Sequence, residues 1–136
     1  GLCSCLQDDG YYGYPTSGGF VDANILDEYS FNLGARIGSP NYDGTDPATS
    51  TNGSGYVPYQ NNVYLSEFEN GLAIVNPKNN GQQTITLPDP GVGYRWDRLD
   101  ASDYANQEPS VNDGATNITT QTLPERHGII IKRTAV

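Results

Sequence analysis

The chain has no methionine, one histidine, one tryptophan and two cysteines in 136 residues. Each shortage closes a route to function. A lone histidine, His127, with no ligand partners near it in sequence gives no zinc signature. It stands in the Glu125–Gly128 turn and reads as a surface residue, and no local motif gives it a Ser-His-Asp or Cys-His pairing. There is no G-x-S-x-G and no phosphate loop. No apolar run approaches the roughly 18 residues of a membrane helix, so membrane insertion is not expected. Basic residues are scarce as well: seven Lys and Arg against 16 Asp and Glu leave a net charge of −9. Nucleic acid and anionic membranes reward clustered Lys/Arg, so neither is expected as a partner. The acid is dispersed rather than gathered into a tail. No signal peptide is visible, and a start at Gly1-Leu2-Cys3 reads as a processed or partial chain.

What the chain does have is 16 Gly, nine Pro and many Asn, Thr and Ser. This is the composition of a mainly β protein with long loops. The length suits one domain able to bury about two-thirds of its unfolded surface. An acidic, soluble, secreted protein of the extracellular space is the expectation. Leu2–Leu6 can form a short strand, and Val21, Ile25, Leu26 and Tyr29 give the single stretch with helical spacing. Residues 38–61 are Gly, Ser, Thr, Asn, Asp and Pro with isolated Tyr, a linker without periodicity. Residues 62–136 carry the strand signals.

The clearest signal is Val63–Phe68 and Leu72–Val75 flanking Glu69-Asn70-Gly71. Asn-Gly between such runs predicts a hairpin with a type I′ turn, and Pro77 ends its second strand. Further strands are expected at Thr84–Leu87, Tyr94–Leu99, Asn117–Leu123 and Gly128–Arg133. In the second of these, Tyr94 and Trp96 share one face, and Arg95 and Asp97 the other. Ile129-Ile130-Ile131 is apolar on both faces, as in a central strand. Six such strands predict an antiparallel β-sandwich, Greek-key-like, preceded by a loop-rich segment with one short helix.

FENGLAIVNP (68–77), QTITLP (83–88) and LPERHGIIIKR (123–133) follow one another in an order that is itself informative. Upstream stand DDGYYGY (8–14) and LDEYSFNLGARIGSP (26–40). In this series the chain resembles the C-terminal part of a family of bacterial glycoside-hydrolase-like proteins, a TIM barrel followed by a small β-domain. The resemblance implies a division into 1–37, the end of a barrel, the 38–61 linker, and 62–136, the C-terminal β-domain. A barrel needs roughly 200 residues or more, so its acid and base carboxylates are expected outside this chain, with no catalytic residue within it.

Candidate site residues follow from both lines of reasoning. Asp8, Asp9, Tyr11, Tyr12 and Tyr14 are candidates to border a sugar cleft, as the resemblance implies. As neighbours on a strand, Asp8 and Asp9 point to opposite faces and make a poor catalytic pair; a turn before Gly10 is the simpler use. Ten tyrosines exceed what a core needs. Those in loops, Tyr42, Tyr56 and Tyr59 among them, suit loop anchoring, subunit interfaces or sugar platforms. Trp96 belongs in the core.

Asp43 with Asp46, and Asp97 with Asp100 and Asp103, are candidate calcium ligands, the one cofactor considered, though neither group follows the EF-hand pattern. As solvated loop acids they need no ion. Asn52 and Asn117 head N-x-[S/T] sequons and are candidate glycosylation sites. Cys3 and Cys5 read as two small buried hydrophobes or as intermolecular disulfide partners, because a bridge across so small a ring would be strained.

The expected function is therefore a non-catalytic C-terminal accessory β-region of a secreted glycoside-hydrolase-like protein. The alternatives are a self-assembling extracellular subunit of a filament or surface, or a carbohydrate-binding module. The expected partners are carbohydrate or further copies of the chain.

Overall fold

A computed structural model of the chain describes residues 31–37, 58–100 and 111–136. The strands are β1 (Tyr64–Phe68), β2 (Gly71–Asn76), β3 (Gln83–Thr86), β4 (Tyr94–Arg98), β5 (Thr120–Leu123) and β6 (His127–Ala135). Four form a sheet in the order β1-β2-β6-β4, and β3 and β5 form a second sheet. Every pairing is antiparallel. After the β1–β2 hairpin each connection passes from one sheet to the other, so the wiring is crossed and Greek-key-like rather than a meander. The predicted helix Val21–Tyr29 and strand Leu2–Leu6 lie outside the described residues.

The core lies between the two sheets. Leu65, Leu72, Ile74, Trp96, Ile129 and Ile131 come from the large sheet, and Ile85, Leu87 and Leu123 from the small sheet and its ends. Each such side chain, fully buried, stabilises the fold by about 1.5–3 kcal/mol. Trp96 is deeply buried and its indole N–H donates to Pro88 O at 2.6 Å. The alternate residues of the central strands, Ala73 and Ile130, point to the opposite face and are equally buried. This two-faced burial is why β6 carries three isoleucines in succession.

The hairpin is where the sequence places it, but the turn is not. Phe68 pairs with Gly71, so Glu69 and Asn70 make the turn, and neither has positive φ. Gly71 is needed for another reason: a Cβ there would stand 2.3 Å from Ile131 O on the neighbouring strand. The turn with two positive φ values is Asn61-Asn62 (51° and 57°), closed by Val63 N–H to Gln60 O at 2.8 Å. It falls at the end of the expected linker. Its residues cover the outer edge of β3: Tyr59 Oη donates to Thr86 O (2.8 Å), Asn61 Nδ2 to Thr84 O (2.9 Å), and Gln60 Oε1 accepts Thr86 N–H (2.8 Å). Sheet edges left open invite pairing with other chains, and here side chains close one.

A second correction concerns Asn117, expected to begin a strand. It has φ of 55°, and β5 begins only at Thr120. Arg98 N–H reaches Ala115 O at 2.8 Å and Ile118 N–H reaches Trp96 O at 2.9 Å, so Thr116 and Asn117 together oppose Asp97. Two residues against one is the geometry of a bulge, and it bends the chain off β4 towards β3.

Asn76, which the sequence offers only as a strand end before Pro77, is a buried hub. Its amide donates to Gly81 O (2.7 Å) and Leu123 O (2.9 Å), and its Oδ1 accepts from Asn80 Nδ2 at 2.8 Å. One side chain thereby ties β2, the 77–82 loop and the end of β5.

Candidate functional site

Two features of the described residues have the form of a site: the outer face of the large sheet, and a cleft beside β5.

The outer face is built from Phe68, Ala73, Leu99 and Ile130, with Val75 at its margin. Leu33 is buried against them and Phe31 packs alongside. Segment 31–37 is held there by backbone bonds. Asn70 N–H donates to Leu33 O, Glu69 N–H to Ala35 O and Ile37 N–H to Glu67 O, all at 2.9 Å. Arg36 lies over the Phe68 ring, 5.0 Å from its centroid. The bend that allows this is at Gly34, with φ of 75° and its N–H on Asn32 Oδ1 at 3.0 Å. The chain approaching the β-domain thus adds to the β1 edge and lays two apolar side chains on the outer face.

Arg133 fixes the hairpin that receives this segment. Its backbone N–H donates to Asn70 O at 2.8 Å, and its guanidinium donates to Glu69 O at 3.3 Å and pairs with Glu67. The same guanidinium lies 4.9 Å from the Trp96 ring centroid, a cation–π contact largely shielded from water. Sequence reasoning did not single out Arg133, whose hydrogen-bond partners are more than sixty residues away.

The cleft opens where the chain leaves β4 and joins the small sheet. It has a volume of about 350 Å³ between Arg98, Asp113, Thr120, Thr122 and His127, with the core residues Leu123 and Ile129 at its base. Arg98 is oriented by Gln121, whose Oε1 accepts its Nε at 3.0 Å, and by Asp113, which accepts its Nη1 at 3.1 and 3.2 Å. The Asp113 carboxyl is held below the usual carboxylate range, first by the Ala115 N–H and then by Arg98, against an opposing effect of burial. None of Arg98, Asp113 and Gln121 was a candidate from sequence. The one local hint is Asp113-Gly114, a turn signal at the end of a polar stretch.

Of the candidates from sequence, Asp97, Asp100 and Asn117 are described. Asp97 is buried and accepts Arg95 Nε at 2.9 Å and Asn117 N–H at 2.9 Å. Burial pushes its carboxyl up, but the Asn117 N–H and Arg95 outweigh this and leave it below its ordinary value. Arg95 and Asp97 share a face of β4, as the alternation requires. Asp100 is exposed and bridges to Asp113. Among the described residues no three His, Cys, Asp or Glu come together as metal ligands. Asn117 is exposed at its bulge. Tyr59 is an anchor, its hydroxyl on Thr86 O and its pKa raised by burial. His127 begins β6 with its side chain exposed. Asp8, Asp9, Tyr11, Tyr12, Tyr14, Cys3, Cys5, Tyr42, Asp43, Asp46, Asn52, Tyr56 and Asp103 lie outside the described residues.

Among the described residues no helix is long and apolar enough to cross a membrane. Comparison of the chain with protein-family models, with curated proteins and with solved structures gave no match.

Proposed function

We infer that the chain is the C-terminal accessory β-region of a secreted glycoside-hydrolase-like protein, non-catalytic on its own. The observation that carries this reading is the outer face of the large sheet. A free-standing two-sheet sandwich covers one face of each sheet and leaves the other to water. Here Ala73, Leu99 and Ile130 are buried on the far side as well, and Phe31 and Leu33 of the approaching chain pack there. That arrangement suits a domain whose work is to dock on what precedes it. The ordered series FENGLAIVNP, QTITLP and LPERHGIIIKR supports the same reading, and its segments fall on β1–β2, β3 and β6.

In this account the β-region stabilises a preceding catalytic domain, and the acid and base carboxylates lie in that domain. Mass spectrometry of the polypeptide isolated from its source tests it. A chain longer by roughly 200 residues or more, as a barrel requires, is expected. A polypeptide of 14.7 kDa would overturn the reading.

A further inference from the structure

The cleft beside β5 combines features that no packing requirement explains. Its two charges cancel, since Arg98 is paired with Asp113, and His127 stands at its rim. Asp113 is nearly half exposed, at 46%, so its carboxylate still has lone pairs open to a ligand. Donors and acceptors thus stand side by side next to an aliphatic floor of Val111 and Pro124, with the core residues Leu123 and Ile129 beneath.

The backbone adds to this. Leu87 N–H bonds Thr119 O at 2.8 Å, so the odd-numbered residues of this stretch face β3. In an antiparallel ladder the alternate residues, Thr120 and Thr122, then turn their N–H and C=O groups the other way, towards the cleft that both line. Gln121 Nε2 already holds Thr122 O at 2.9 Å, which blocks the addition of a further strand along this edge. The amides of Thr120 and Thr122 and the carbonyl of Thr120 remain on the cleft side.

The geometry points to a neutral saccharide as the ligand of this cleft. A sugar hydroxyl donates and accepts at once, and a carboxylate beside a guanidinium offers both partners to adjacent hydroxyls. The C–H face of the ring would lie on the aliphatic floor. The volume of about 350 Å³ has room for one or two sugar rings. A phosphate or carboxylate ligand fits less well, because Asp113 neutralises Arg98. The site stands on its own lining and does not depend on the accessory-region reading.

The test is titration of the ¹⁵N-labelled full chain with glucose, galactose, mannose, N-acetylglucosamine and cellobiose, with sodium acetate as comparator. Saturable shifts of the Thr120, Gln121, Thr122 and Gly128 amides are expected with at least one saccharide, at millimolar Kd. Asp113→Asn should weaken that binding about tenfold or more. Should that variant misfold, His127→Ala, at an exposed rim position, should weaken it by a smaller factor. Three results would overturn the proposal: no saturable shift with any saccharide to about 100 mM, the same amides moved by acetate alone, or binding unchanged in both variants.

Discussion

The Asp97 carboxylate accepts the Asn117 backbone N–H at 2.9 Å and the Arg95 guanidinium at the same distance, so a buried charge holds the bulge that carries the chain off β4. Asp97→Ala should cost about 1–3 kcal/mol, because the Asn117 N–H and Arg95 lose their acceptor. Chemical denaturation checks this.

The same residue gives a pH dependence. The folded-state pKa of Asp97 lies below its ordinary value, and so does that of Asp113. Such groups contribute stability above the unfolded carboxylate pKa of about 3.9, and that contribution is lost as pH falls through the folded values. Stability should therefore decline from about pH 5 downward. Asp97→Asn should flatten that decline, measured as Tm against pH.

At the hairpin, Gly71→Ala should cost about 2–3 kcal/mol, since the new Cβ meets the Ile131 carbonyl of β6 at 2.3 Å. A glycine needed only for a positive φ would lose about 1 kcal/mol. Asn62→Gly, at φ of 57°, should change stability by no more than about 0.5 kcal/mol, whereas Asn62→Val should cost about 1–2 kcal/mol. Thermal melts of the three variants separate the two positions.

Asn76→Leu should be among the most damaging changes, by about 2–4 kcal/mol. It removes the donor that Asn76 gives to Gly81 O and to Leu123 O, the second of these bonds being buried. Guanidinium unfolding of the variant is the measurement.

The β fold was legible because its signals are local. The apolar runs of β1, β2 and β6 and the alternation of β3 and β4 need only period-two reading. What was not legible depended on distant partners. Gly71 looked like a turn glycine because Asn-Gly is a turn signal, yet it is constrained by Ile131, sixty residues on. Asn61-Asn62 was missed as a primed turn because it sits in a stretch without periodicity. Asn76, Arg98, Asp113 and Arg133 acquire their roles through contacts that composition cannot indicate. Of the two site features, the apolar outer face was half visible, in an Ile-Ile-Ile strand that demands cover on both sides. The cleft was not visible at all, since it arises where the Thr116-Asn117 bulge redirects the chain between sheets.

The central claim is that the outer face of the large sheet is a docking face covered by the approaching chain. Leu33→Asp in the full chain tests it most directly, read by binding of a hydrophobic dye together with far-ultraviolet circular dichroism. New dye binding and a lower Tm are expected with the β signal retained, because the sandwich core does not include Leu33. Unchanged dye binding and an unchanged Tm would contradict it.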